Sequence, residues 1–244
     1  MSSEETRGMN SPSLDCGRRG FLRGSLLGGV ALGLTAPAIL KAQDQNERKL
    51  KNDAPDSAKE RELVKAFVGA SHGQLTQVVE MLAAHPSLAN AGWAWRGDDW
   101  ETGLGAASHM GRADIATVLI DQGARPDIFW AAMAGETDVV RALIGSNAGI
   151  IKHRGPHGIS LQFHAALSGE VDVADFLLAS GAELDESTLR AAVQQGHYDM
   201  TAWLLARGMR DVNQKDFSDN TLLQIATSRS DGAIADLLRQ HGAR

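Results

Sequence analysis

The densest group of side chains able to do chemistry in this chain is a set of histidines near its middle. Four of the eight histidines lie between positions 109 and 164: His109, His153, His157 and His164. Neutral imidazole nitrogens, with the carboxylate of Asp99, would suit Zn²⁺ or another transition metal, and an imidazole can also act as a general base. Because a Gly-Pro pair at positions 155–156 interrupts any helix between His153 and His157, the pair lacks the usual helical ligand spacing. We therefore predict separate hydrogen-bonded histidines with no metal or cofactor. The alternative is a metal-dependent enzyme whose site is built from Asp99, His109, His157 and His164.

A second group combines tryptophans with charged residues. Four of the five tryptophans lie between positions 93 and 130: Trp93, Trp95, Trp100 and Trp130. The first three are interleaved with Arg96 and with acidic side chains at positions 98, 99 and 101. Aromatic side chains on an open surface are favoured anchors for a protein partner or an apolar ligand. A small-ligand receptor is therefore a further alternative, and the competing interpretation is that these rings only cover the core.

Familiar catalytic motifs are absent from the sequence. It contains no His-Glu-x-x-His, Gly-x-Ser-x-Gly, phosphate-loop or dinucleotide-binding pattern. The single cysteine, Cys16, lies near the N-terminus, so no disulfide or thiolate metal site is expected in the body of the chain. A net charge of −6 disfavours binding to nucleic acids and to anionic membranes, which both attract basic surfaces. We predict that the protein is not an enzyme.

The elements that would position these side chains are indicated by a repeated phrase. A turn residue follows a segment rich in small residues in six copies: Gly73, Gly111, Gly135, Gly169, Gly196 and Ser230. An apolar stripe at helical spacing then follows, as in Ile115, Val118 and Leu119. No copy could bury its apolar face alone, so the predicted helix pairs must stack on one another.

This phrase resembles the ankyrin repeat, whose period is about 33 residues. The best match covers residues 101–124, where Gly103 and Gly105 replace the Pro and His of the family's Thr-Pro-Leu-His motif. The resemblance implies an all-α solenoid of about six helix-turn-helix units over residues 56–244. It also implies protein–protein recognition, which is the usual activity of that family.

The spacing of the repeats is irregular, and this predicts an uneven set of β-hairpin fingers. Successive turn residues are 24 to 38 positions apart. The shortest steps leave no room for a finger, so the units beginning near Pro126 and Glu186 should lack one. Fingers should project near residues 92–101, 148–159 and 211–220. In this register His109, His164 and Trp130 should face the concave groove.

The first 42 residues have the pattern of an export signal. A paired arginine, Arg18-Arg19, is followed by Phe21-Leu22 and by a weakly apolar stretch rich in glycine and alanine. This resembles a bacterial twin-arginine signal peptide, and the alternative is an N-terminal membrane anchor. The domain boundaries that follow are a signal peptide at 1–42, cleaved after Ala38 or Ala42, a linker at 43–55 and the repeats from 56 onward.

These features together predict an exported binding module, periplasmic or secreted, that grips an unidentified protein through its groove and fingers. The residues predicted to contact the partner share an aromatic, imidazole or acidic side chain in the first finger, the groove or the second finger. They are Trp93, Trp95, Asp99, Trp100, His109, Trp130, His157 and His164. No nucleic acid and no membrane insertion of the mature chain are expected.

Overall fold

A computed structural model describes residues 57–244, and the predicted signal peptide and linker lie outside them. The described residues contain twelve α-helices, which alternate between two layers. The first layer consists of α1 (Ser57–Ser71), α3 (Gly103–His109), α5 (Ile128–Met133), α7 (Leu161–Ser168), α9 (Glu186–Gln195) and α11 (Leu222–Ser228). The second consists of α2 (Leu75–Ala84), α4 (Ala113–Asp121), α6 (Thr137–Ser146), α8 (Val171–Ala179), α10 (Tyr198–Ala206) and α12 (Gly232–Gln240).

Each first-layer helix packs against its second-layer partner and against the first-layer helices of neighbouring units. Small residues make this close approach possible, because paired alanines in four first-layer helices have no exposed surface: Ala106-Ala107, Ala131-Ala132, Ala165-Ala166 and Ala191-Ala192. The second-layer helices contribute larger apolar side chains to the same core, such as Ile115, Met200 and Leu204, all fully buried. The core is therefore one continuous sandwich between the two layers.

The turn between the two helices of a unit also joins that unit to the one before it. Gly169 ends α7 in the left-handed conformation, with φ of 78°. The imidazole of His197, at the corresponding turn of the next unit, lies against Gly169 and places its Nε2 2.9 Å from the carbonyl oxygen of Leu167. Ser230, the predicted turn residue of the sixth copy, adopts the same backbone region with φ of 58°.

The fingers agree only in part with the prediction. The first is a β-hairpin, in which β1 (Gly92–Arg96) pairs antiparallel with β2 (Asp99–Thr102). Residues 148–159 instead form two 3₁₀ helices, Ala148–Lys152 and Pro156–Gly158, so the prediction of a finger there is wrong. The 211–220 segment has a single β-bridge, between Lys215 and Thr221. As predicted, no strand lies between α4 and α5 or between α8 and α9.

Among residues 57–244, no helix is both long enough and apolar enough to cross a membrane.

Candidate functional site

Four segments meet where the first finger joins the helical layers. Strand β2 carries Asp99 and Glu101, and α3 begins directly after this strand because Thr102 caps its N-terminus. The cap is a hydrogen bond from the amide of Gly105 to the Thr102 hydroxyl, at 2.9 Å. His109 is the last residue of α3, and α1, which α3 packs against, ends just before His72. The 3₁₀ turn Pro156–Gly158 packs on β2 and adds His157.

Glu101 lies at the centre of this meeting point and is completely buried. The indole nitrogen of Trp95, on the paired strand, donates a hydrogen bond of 2.6 Å to its Oε2 atom. Burial acts to raise the pKa of Glu101, but the close contact with His109, the hydrogen bond from Trp95 and the electrostatic effect of His72 outweigh it, so the pKa is lowered. The centre of the site is therefore a buried carboxylate that stays ionised.

His72 and His109 are oriented in the same way by the helices that they terminate. In both, Nδ1 lies close to the carbonyl oxygen four residues earlier, at 3.0 Å from Val68 and 3.1 Å from Gly105 respectively. The Nε2 atom of His72 is then 3.4 Å from Oε2 of Glu101. The Nδ1 atom of His109 is also 3.0 Å from Oε1 of the same carboxylate. Both rings therefore border the buried carboxylate.

His157 is held by Asp99 at two points. One carboxylate oxygen accepts the backbone amide of His157 at 2.8 Å, and the other lies 2.8 Å from its Nδ1 atom. The backbone hydrogen bond is the largest cause of a lowered pKa at Asp99. His157 has φ of 59° and ψ of 18°, a left-handed conformation that few residues other than glycine adopt. In this position its Nε2 atom is 3.5 Å from Oε1 of Glu101.

The result is a cluster of three imidazoles around one carboxylate, hereafter the His₃Glu cluster: His72, Glu101, His109 and His157. One ligand-type atom from each residue can be chosen so that all four lie within 4.8 Å of one another. The rings are also close, since the centroid of His109 is 5.0 Å from that of His72 and 5.1 Å from that of His157. Nitrogen and oxygen donors in this arrangement could hold a metal ion or share protons.

A cavity of about 610 Å³ opens beside the cluster on the side of Asp99 and His157. Its wall includes both signs of charge, among them Arg96, Asp98 and Arg154. Trp100 also lines it, and its side chain is 58% exposed. The indole lies across Gly92 on the paired strand, where a Cβ atom would come within 2.3 Å of the ring. The finger therefore presents an exposed aromatic ring above a polar cavity.

The structure brings some of the predicted residues together and separates others. His109 and His157 converge on Glu101, which Trp95 supports, whereas Asp99 contacts His157 but is not one of the four residues that come together. His153 is exposed on the same loop as His157 and contributes nothing to the cluster. Trp93 and Trp130 are partly buried and pack against the core.

The expectation that His164 lines an open groove is wrong. Its side chain is completely buried, and its Nδ1 lies 2.8 Å from the carbonyl oxygen of Ser160. The rings of Phe129 and Phe163 lie next to it, with centroids 5.1 and 6.2 Å away. Burial lowers the pKa of His164 to about 4. His164 is therefore a neutral core residue that no partner can reach.

Two members of the cluster were not predicted as site residues. His72 follows a helix and Glu101 is one acidic residue among several in the finger, so residue type alone marks neither of them. A signal for His72 does exist in the sequence. The dipeptide Ser-His occurs at 71–72 and again at 108–109, at the end of the first helix of two neighbouring units. In both copies the serine hydroxyl donates to the carbonyl four residues earlier.

The helix pairs and their stacking define a helical-repeat solenoid. The family described as ankyrin repeats (3 copies) matches residues 128–216 and 161–244. No curated protein matches the chain. Ankyrin repeats are thus found in residues 128–244, and the described residues as a whole form an all-α solenoid of stacked helix pairs, which confirms the predicted fold class. Ankyrin repeats are generally not enzymes, and they suggest a module for protein–protein interaction.

Proposed function

We propose that this protein is exported through its twin-arginine leader and binds a protein partner with the groove and finger edge of its solenoid. The observation that carries the proposal is the exposed indole of Trp100 on the finger of an ankyrin-repeat fold. A large aromatic ring beside a cavity is the type of residue on which interface energies concentrate. Charged groups around it would then select the partner.

A second exposed ring supports the same edge as the contact surface. Phe217 is 99% exposed in the 211–220 segment, and the guanidinium of Arg190 lies 5.1 Å from its ring centre. The segments that carry Trp100 and Phe217 each lead directly into a first-layer helix, α3 and α11. In a solenoid of stacked units, such segments project from one edge. The two aromatic residues are therefore candidates for a single extended contact surface.

The test is capture of a partner from a periplasmic extract by the mature chain, starting at Gln43. Replacing Trp100 and Phe217 together with alanine should remove the captured protein, because both anchors of the proposed surface are lost. Tyr198→Ala is the matched control, since Tyr198 is 46% exposed but lies on the second-layer helix α10. Circular dichroism of each variant checks that the fold is kept.

Capture that survives the double substitution would contradict the use of this edge. Capture that Tyr198→Ala also abolishes would mean that the surface lies elsewhere. Export is tested separately, by replacing Arg18 and Arg19 with lysine and following the protein into the periplasm. Retention of this variant in the cytoplasm is expected, and its normal export would contradict the leader assignment.

A further inference from the structure

The distances from Glu101 to the three imidazoles of the His₃Glu cluster are close to the separations of ligand atoms in a metal site. A tetrahedral Zn²⁺ site with bonds of about 2.0–2.1 Å has ligand atoms about 3.3–3.4 Å apart. The carboxylate oxygens of Glu101 lie 3.0, 3.4 and 3.5 Å from ring nitrogens of His109, His72 and His157. All four ligand-type atoms lie within 4.8 Å of one another, so side-chain adjustments of about 1 Å would bring them to a shared metal ion.

Hydrogen bonds prepare two of the three histidines, His72 and His157, to act as ligands. Each ring has its Nδ1 beside an oxygen acceptor: the carbonyls of Val68 and Gly105 for His72 and His109, and the carboxylate of Asp99 for His157. When Nδ1 carries the proton for these bonds, the Nε2 atoms of His72 and His157, which face Glu101, keep the free lone pair that a metal needs. His109 faces Glu101 with Nδ1 instead, so metal binding through this atom replaces its contact with the Gly105 carbonyl. Partners of this type fix the orientation and tautomer of metal-binding histidines, and the Asp99–His157 pair is the carboxylate form of the pattern.

The buried charge of Glu101 is a second, independent reason for a cation at this position. Within the described residues, the ion-pair contacts of Glu101 are all with imidazoles. Its Oε1 atom has no hydrogen-bond donor among those residues, although His109 is close, because the Nδ1 of His109 has hydrogen-bond geometry with the Gly105 carbonyl instead. A completely buried carboxylate whose ion-pair contacts include no lysine or arginine among the described residues is costly in a protein interior. A divalent cation among these atoms removes that cost.

The backbone of His157 shows that this ring is held in place against a conformational preference. A non-glycine residue in the left-handed region is strained, and such strain collects at functional sites. Asp99 stabilises the strained residue through both its amide and its ring, and the ring is thereby directed at Glu101.

We infer that the His₃Glu cluster is a binding site for a divalent transition-metal ion, with Zn²⁺ the best-suited. Three imidazoles and one carboxylate match the donor preferences of Zn²⁺, whereas Mg²⁺ and Ca²⁺ prefer oxygen ligands. Four protein ligands close the coordination sphere, which is the pattern of a structural site. The ion would tie the end of α1, the first finger, α3 and the 156–158 turn together. The side chains of His72 and His157 are 28% and 35% exposed, so the ion can enter from solvent.

The experiment is a titration of the full chain, stripped of metal with a chelator, with ZnSO₄ in a calorimeter. Stoichiometric uptake is expected, with a rise in melting temperature because the ion binds only the folded state. Co²⁺ in place of Zn²⁺ should show the visible absorption of a tetrahedral nitrogen and oxygen site. Affinity should fall as the pH is lowered, since protons compete for the imidazole nitrogens.

The discriminating variants are His157→Asn and His153→Asn, two identical changes on one loop. Asparagine tolerates the left-handed backbone of position 157, so the fold should be kept while the ligand is lost. Zn²⁺ affinity should drop at least about 100-fold in His157→Asn. Loss of a residue that only hydrogen-bonds a metal ligand lowers affinity by up to about 100-fold, and loss of the ligand itself should cost no less. It should be unchanged in His153→Asn, because this histidine is exposed and outside the cluster. Glu101→Gln should also weaken Zn²⁺ binding, and in this variant the Zn²⁺-dependent rise in melting temperature should disappear.

Three results would overturn the inference. They are the absence of Zn²⁺ uptake by the folded wild-type chain, equal affinity in the wild type and His157→Asn, and equal losses in His157→Asn and His153→Asn. The last result would indicate only nonspecific binding to surface histidines. None of these outcomes depends on the protein partner, so failure of the metal site and failure of the proposed binding function are separable.

Discussion

The complete burial of His164 leads to a quantitative prediction about acid stability. The pKa of this imidazole is lowered to about 4 in the folded protein, mainly by burial, with a further contribution from the charge of His109. In the unfolded chain the same group titrates at an ordinary value of about 6.5. As the pH falls below about 6.5, the unfolded chain takes up a proton that the folded protein refuses, so stability declines until the pH reaches about 4.

The size of the effect follows from the difference between the two pKa values. Each pKa unit corresponds to about 1.4 kcal/mol, so the full loss on reaching pH 4 is about 3 kcal/mol. Between pH 7 and pH 5 the loss is about 2 kcal/mol by the same relation. With a urea m-value of about 2 kcal/mol/M, this shifts the unfolding midpoint by about 1 M. The shift is large enough for a simple denaturation experiment.

The assay is urea unfolding at pH 7 and pH 5, in the presence of a chelator, for the wild type, His164→Leu and His153→Leu. Leucine cannot take up a proton, so His164→Leu should lose about 2 kcal/mol less than the wild type between the two pH values. His153 is exposed, and its replacement should leave the pH dependence unchanged. Carboxylates contribute equally to all three proteins and cancel in the comparison.

Equal pH dependence in the wild type and His164→Leu would refute the reasoning. It would mean that the imidazole of His164 reaches water and that α7 is rotated from the position described. If His164→Leu did not fold, NMR titration of the wild-type imidazole would decide the same point. A pKa near its ordinary value would contradict the burial.

Two further predictions concern the packing of the solenoid, and urea unfolding at neutral pH measures both. Leu204→Ala should lower the free energy of unfolding by about 2–5 kcal/mol, because Leu204 is completely buried in the core. A smaller loss would mean that the surrounding side chains fill the cavity or that the register of the helix is different. Gly123→Ala should lower the free energy of unfolding by about 1–2 kcal/mol, because alanine must adopt the left-handed backbone there although its Cβ atom meets no neighbour. Gly169→Ala should cost about 1 kcal/mol more, because its Cβ atom would displace the His197 imidazole. Equal costs at the two glycines would contradict the contact with His197.

The repeat architecture could be predicted from sequence because its causes are local. Each unit repeats small residues on its first helix, a turn residue after that helix and an apolar stripe on its second helix. Each unit also needs neighbours to bury its stripe. Even the replacement of glycine by Ser230 could be placed, since the helices on both sides define the turn. The short steps before α5 and α9 likewise left too few residues for a finger.

The path of residues 148–159 could not be predicted in the same way. Repeat spacing shows that these residues are additional to two helices, but not whether they form strands. Pro156 and the left-handed His157 favour a 3₁₀ turn, and contact with β2 stabilises that turn in place of a hairpin. Tertiary contact therefore decided between two local structures that the sequence allowed.

The candidate site separates what residue types indicate from what packing decides more clearly than the fold does. Residue types alone marked Asp99, His109 and His157 as able to share a ligand, because imidazole and carboxylate groups carry that chemistry in any fold. Only packing could add His72 and Glu101 and remove His164, since a helical side chain turns by about 100° per residue and small differences in register decide burial. The sequence by itself thus determined the repeat and the available chemistry. The tertiary structure decided which side chains converge, because their distances depend on segments up to 85 residues apart in the chain.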